Sequence, residues 1–233
     1  MNAATHPDWH VFASPGILAD HLADAVAVEL AGAIVRRGVA FLALSGGTTP
    51  KRFLSALSRR SLEWRQVTVT LVDERFVPES STRSNAALVR STLLTGAAAA
   101  ARFVPLYSPA ADVEAAAGLA DAALAALPWP LDAAVLGMGT DGHTASFFPD
   151  ATEPAAFDPA NPAAVAAVHA ESAGEARLTL TLPRLAEARF VALHIEGAEK
   201  RAVLEKALST APALPVRRVF DHAVVPVQVY WAP

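Results

Sequence analysis

The sequence predicts an α/β fold, a mostly parallel sheet with helices on both faces. Three observations predict it. Short, continuous apolar runs such as Val39-Ala40-Phe41-Leu42-Ala43-Leu44 have the pattern of strands buried on both faces. These runs alternate with stretches of helical period. The 233 residues are 53% hydrophobic and 18% charged, enough apolar mass for a sizeable core.

The elements follow in order. Ser14 is an N-cap, Pro15 suits the first helical position, and Ile17, Leu18, Leu22, Val26, Leu30 and Ile34 share one helix face. Gly38 ends that helix, and the strand 39–44 runs into a glycine-rich turn and a short helix from about Pro50 to Leu57. Val67 to Val72 reads as a strand, Ser84 caps a helix over 85–94, 112–127 is a helix, and Leu131 to Leu136 is another buried strand. Ala97–Ala101 is helical by propensity, but the chain is alanine-rich throughout, so that signal is discounted. Pro149 to Gly174 carries four prolines and reads as a long loop holding one short strand or helix. A strand at 177–182, a short helix at 183–188, a strand at 190–195, a helix at 198–208 and a final strand at 225–231 complete the chain. No linker or internal repeat interrupts it. The expectation is a single α/β domain over 1–233, with a small lobe or lid formed by insertions that include about 150–174.

Composition narrows the function. A net charge of −4 disfavours general binding to nucleic acid or membrane surfaces, and an anion would need a local cluster of donors. With no cysteine there is no disulfide framework, thiolate metal site or cysteine nucleophile. Met1 to Ile17 has neither a basic region nor an apolar run of the secretory kind, and no apolar run approaches the roughly 18 residues of a membrane span. The expected location is cytoplasmic. Only Lys51, Lys200 and Lys206 among the 19 basic residues are lysines.

In open parallel sheets, ligands bind beyond the carboxyl ends of the strands, and three such ends carry unusual chemistry. The first is Leu44-Ser45-Gly46-Gly47-Thr48-Thr49-Pro50-Lys51. Its glycines let the backbone approach a ligand, and its hydroxyls and helix start favour an anion. The spacing is neither a Walker loop nor a nucleophile elbow, and a plain strand–helix turn would also account for it. The second is Leu71-Val72-Asp73-Glu74-Arg75-Phe76-Val77-Pro78. Such a charged run is usually a solvated loop, but opposite a glycine-rich loop Arg75 becomes a candidate clamp for phosphate or carboxylate. Ser84-Asn85 could add polar contacts or only cap a helix.

The third end is Gly137-Met138-Gly139-Thr140-Asp141-Gly142-His143-Thr144-Ala145-Ser146. Its literal GxGxxG is not followed by the long helix a dinucleotide fold needs, because Pro149 comes too soon. Asp141 and His143, one glycine apart on a tight turn, are the more informative pair. Such a turn can hold an imidazole into a cleft with a carboxylate to orient it. The other histidines have blander contexts: His6 and His10 near a loose terminus, His21 on the polar side of its helix, and His169, His194 and His222 in or beside apolar stretches. No third ligand accompanies Asp141 and His143 at metal spacing, so no catalytic metal is expected.

Together these motifs resemble the 6-phosphogluconolactonase family, a relative of the glucosamine-6-phosphate deaminases. The matching segments are LALSGGTTP (42–50), VDERFVP (72–78) with Ser84-Asn85, GMGTDGHTASFFP (137–149), RLTLTLP (177–183), and Gly197 with Lys200. They run in order across nearly the whole chain. The deaminase branch typically has Tyr after its Asp-Glu pair and an Asn-Glu-Pro ending after its Asp-Gly-His segment. Arg75 and the run Thr144 to Pro149 favour the lactonase branch instead. Asp150 departs from the small residue common in relatives, and the 150–174 stretch matches nothing.

The resemblance implies a Rossmann-like open sheet of the sugar-phosphate isomerase/deaminase type. It implies hydrolysis of 6-phospho-D-glucono-1,5-lactone to 6-phospho-D-gluconate in the oxidative pentose phosphate pathway. In this reading His143 is the base that activates water and Asp141 orients it or touches the substrate. Ser45, Gly46, Gly47, Thr48, Thr49, Arg75 and Lys200 grip the phosphate and the sugar acid, with Arg177 as a further candidate. No cofactor is needed, since an aldonolactone is an activated ester. The partner is the sugar-phosphate lactone, with neither nucleic acid nor membrane, and the protein is a monomer or a homodimer. Two other readings compete. An aminosugar-phosphate deaminase would use Asp73 as its base, and a non-catalytic sugar-phosphate sensor would have no need of Asp141 and His143 on an exposed turn.

Overall fold

A computed structural model describes residues 7–152, 154–209 and 214–233. In chain order the elements are β1 (Asp8–Val11), α1 (Pro15–Arg37), β2 (Ala40–Leu44), α2 (Lys51–Ser58), β3 (Val67–Leu71), β4 (Asp73–Arg75), α3 (Asn85–Thr92) and β5 (Arg102–Phe103). They continue with α4 (Val113–Ala125), β6 (Ala133–Leu136), β7 (Val165–Val168), β8 (Arg177–Leu180), α5 (Leu182–Ala186), β9 (Val191–Glu196), α6 (Ala198–Ser209), α7 (Val216–His222) and β10 (Gln228–Ala232). Seven strands form one parallel sheet in the order β1-β10-β9-β6-β2-β3-β5, and β4-β8-β7 form a small antiparallel sheet.

The predicted α/β architecture is the observed one, and the local chemistry explains it. Every residue of β2 is fully buried. That is the environment its unbroken apolar run requires, and each fully buried Phe or Leu contributes about 1.5–3 kcal/mol. Ser14 caps α1 by accepting a hydrogen bond from the Ile17 amide at 3.3 Å, and Gly38 ends it in the left-handed conformation at φ +76°. Leu18, Leu22, Val26 and Leu30 of α1 are the buried face. At the amino end of the central strands, the buried Asp132 accepts hydrogen bonds from the Phe41 amide at 2.9 Å and from Arg37. Burial raises its carboxyl above the usual carboxylate range, and these two partners only partly oppose the rise.

Several expectations need correction. The 177–182 strand does not extend the parallel pattern, because β8 runs antiparallel between β4 and β7. The 150–174 region holds more than one element: β7 and two single 3₁₀ turns at Pro154–Phe157 and Glu171–Ala173. Ala97–Ala101, whose helical propensity is discounted above, falls largely in a 3₁₀ turn, Gly96–Ala100, in keeping with that discount. The last strand begins at Gln228 because Pro226 has no N–H for a ladder flanked on both sides by β1 and β9. Strand β1 lies on residues read as a loose terminus. His10 is fixed on it, with Nε2 2.7 Å from Gln228 Oε1. His6 lies outside the described residues. β4, β5 and α7 also went unpredicted, being too short for a period to show.

Candidate active site

The carboxyl ends of β2, β3, β6 and β9 converge on one cavity of about 230 Å³. The loop after β2 supplies Ser45, Gly46, Gly47, Thr48 and Thr49 to its wall. Ser45 Oγ accepts a hydrogen bond from the Gly137 amide at 3.1 Å, so this loop is tied to the loop after β6. Gly46 is obligatory, because a Cβ there would lie 1.8 Å from Asn85 Oδ1. Thr49 Oγ1 accepts from Lys200 Nζ at 3.4 Å. Lys200 sits in the first turn of α6 and is half-buried, and burial lowers its pKa from the ordinary lysine value.

Arg75 enters from β4. Its Nη1 donates to Asn85 Oδ1 at 2.6 Å and to the Arg83 carbonyl at 2.8 Å. Asn85 Nδ2 in turn donates to the Asp73 carbonyl at 2.9 Å. Beneath this cluster lies Glu74, fully buried. Its carboxylate accepts from the amides of Arg75, Asn85 and Ala86, each at 2.8 Å, and from Ser84 Oγ at 3.0 Å. Burial pushes the Glu74 carboxyl up and the four donors oppose the rise. The strand β4 and the start of α3 are thereby fixed to one another, which aims Arg75 and Asn85 at the cavity.

His143 and Asp141 occupy the turn after β6. His143 Nδ1 lies 2.6 Å from Asp141 Oδ1, and the His143 amide donates to the same oxygen at 3.1 Å. Gly142 takes φ +80°, and a Cβ on Gly139 would come within 2.4 Å of the imidazole. The ring also faces Phe148, with centroids 4.6 Å apart. His143 lines the cavity with about a third of its side chain exposed. With Nδ1 held by Asp141, Nε2 is the nitrogen free for a water or a substrate atom.

Ser45 to Thr49, Arg75, His143 and Lys200 thus share one cavity. Asp141 and Arg177 do not line it. Both line an adjoining depression that reaches Arg75 and His143 from the other side. Arg177 is nearly buried, ion-paired to Glu175 at 2.8 Å and donating to the Ala173 carbonyl at 2.9 Å. Two ionisable wall residues lie outside the set that the sequence singles out. Asp73, considered only as the base of a competing reading, lines the cavity and accepts from Ser146 Oγ at 2.8 Å. His194, in its apolar stretch, is buried, yet its ring forms part of the wall of the cavity that Lys200 also lines. Its position at the carboxyl end of a strand, two residues before Glu196, was the available signal. Among the described residues no cluster of His, Asp and Glu could hold a metal ion, and no helix is long and apolar enough to cross a membrane.

Known proteins resemble the chain along its whole length. The 6-phosphogluconolactonase of Mesorhizobium japonicum is 56% identical over 234 residues, covering 100% of this chain and 98% of that protein. The 6-phosphogluconolactonase of Rhizobium meliloti is 53% identical over 229 residues, covering 97% and 99%. The crystal structure of a 6-phosphogluconolactonase from Shewanella baltica superposes with a TM-score of 0.94 at 35% identity, covering 99% of each chain. The family model described as glucosamine-6-phosphate isomerases/6-phosphogluconolactonase matches residues 13–231, and the chain belongs to that family.

Proposed function

We propose that this chain hydrolyses 6-phospho-D-glucono-1,5-lactone to 6-phospho-D-gluconate, the lactonase step of the oxidative pentose phosphate pathway. The observation that carries the mechanism is the 2.6 Å contact between His143 Nδ1 and Asp141 Oδ1 at the edge of a cavity holding Arg75 and Lys200. Asp141 fixes the ring so that Nε2 takes a proton from water as the oxygen adds to the lactone carbonyl carbon. The carbonyl electrons move onto oxygen, then return as the ring C–O bond breaks. The departing ring oxygen takes the proton back from His143. The amides of the glycine-rich loops are the candidate donors to the oxyanion. Lys200, Thr48, Thr49 and Arg75 hold the phosphate and hydroxyls, so binding at a remote dianion positions the carbonyl. Arg177, tied to Glu175, acts from the neighbouring depression. No cofactor takes part.

The chain acts as one α/β domain, with a small lobe formed by insertions that include about 150–174. The protein works in the cytoplasm, as a monomer or a homodimer, and its net charge of −4 disfavours general binding to nucleic acid. The test is the decay of freshly generated lactone with and without protein, since only the excess over the buffer rate counts. Glucosamine 6-phosphate runs beside it. Accelerated lactone loss without ammonia supports the proposal. Ammonia release would point to the aminosugar reaction, with Asp73 as its base, and would overturn it.

A further inference from the structure

The hydrolysis proposed above gives His194 no part, although the ring lies in the cavity wall. It is 1% exposed and packs edge-on against Phe53, with centroids 6.3 Å apart. Its Nε2 lies 3.2 Å from Glu196 Oε1, while Nδ1 is buried with no partner. An unpaired acceptor in the interior is tolerated better than an unpaired N–H. The ring hydrogen therefore sits on Nε2 and is donated to Glu196. The other carboxylate oxygen, Oε2, faces Arg52 at 3.9 Å. Glu196 is thus held by one hydrogen bond, from His194, with the Arg52 guanidinium as a more distant ion-pair partner.

Lys200 stands four residues further on. Its ammonium reaches Thr49 Oγ1 and the cavity and makes no ion pair within 4 Å with Glu196, although the two charges act on one another. In a half-buried site a direct Glu–Lys pair would be the competing arrangement, and it would withdraw the cation from an anionic ligand.

We propose that His194 is a positioning residue: by binding Glu196 it keeps that carboxylate off Lys200, leaving the ammonium aimed at the phosphate of the ligand. The hydrogen bond from His194 is also the largest influence holding the Glu196 carboxyl below the usual carboxylate range. The inference rests on the reading of Lys200 as an anion anchor, and it is tested by binding, so its outcome is separate from whether lactone is hydrolysed.

The probe is 6-phosphogluconate, titrated by calorimetry into wild type, His194→Phe, His194→Gln, Glu196→Gln and the His194→Phe/Glu196→Gln double variant. A hydrogen bond to a charged group is worth enough that losing it should weaken binding roughly tenfold in His194→Phe. His194→Gln, which keeps an N–H at the same reach, should bind near wild type. Glu196→Gln, with no carboxylate to compete, should bind at least as tightly as wild type, and adding His194→Phe to it should cost nothing further. Wild-type affinity in His194→Phe, an equal loss in both backgrounds, or a tenfold loss in Glu196→Gln alone would each overturn the proposal. The last holds even if His194→Phe does not fold.

Discussion

His143 Nδ1 lies 2.6 Å from Asp141 Oδ1, and the two residues are joined by a glycine at φ +80°. One carboxylate oxygen thus holds both the ring and the backbone amide of the same histidine. That double contact orients an imidazole that is otherwise open to solvent over part of its surface. Replacing Asp141 by Asn keeps the shape but lets the amide nitrogen face Nδ1, favouring the wrong tautomer. Asp141→Asn should lower kcat by roughly 10²–10⁴-fold with a much smaller change in KM. Steady-state kinetics on the lactone checks it.

Gly139 supports the same ring from beneath. A methyl group there would sit 2.4 Å from Cε1 and Nδ1 of His143 and 2.5 Å from Asp141 Oδ1, so the imidazole must move aside. Gly139→Ala should fold, bind 6-phosphogluconate and yet turn over at least about tenfold more slowly, because small misplacements of a catalytic group are costly. Melting temperature, calorimetry and kcat together distinguish this from general damage.

Glu74 holds the other side of the cavity together. Its carboxylate is the acceptor for three buried amides and the Ser84 hydroxyl, so Glu74→Ala orphans four donors at once. The expected loss is about 3 kcal/mol or more by chemical denaturation. Weaker binding of phosphorylated ligands should accompany it, since Arg75 and Asn85 lose their common anchor.

If Lys200 anchors the anion as proposed, it sets an alkaline limit on binding. Burial lowers its pKa below the ordinary 10.5, so in the free protein the ammonium loses its proton at a lower pH than an exposed lysine. The charged form is the one that binds an anion. Affinity for 6-phosphogluconate should therefore be full below that lowered value and fall as pH rises through it, before pH 10.5. Lys200→Arg, whose guanidinium stays charged, should bind with no such fall over the same range. A pH series of dissociation constants decides the matter.

Most of the large sheet was legible because its strands are buried on both faces and read as unbroken apolar runs. Ala40–Leu44 and Val191–Ile195 are clear cases. What escaped was held by pairing instead of period. β1 and β5 are short edge strands, and β4 exists because Asp73–Arg75 aligns with Arg177–Thr179 on β8. The Ser45–Thr49 loop, Arg75, His143 and Lys200 were legible as unusual chemistry at strand ends, and they share the cavity. Arg177 stands apart because it is held by Glu175 and the Ala173 carbonyl, in the turn that leads into β8, which no local pattern announces. His194 escaped because an apolar strand context describes both a core residue and a cavity floor.

The most direct test of the account is His143→Ala, measured for lactone turnover above the buffer rate and for 6-phosphogluconate affinity. The account predicts kcat lower by roughly 10²–10⁴-fold, with the fold retained and affinity largely unchanged. A His143→Ala protein that hydrolyses the lactone like wild type would remove His143 from the reaction and contradict the account.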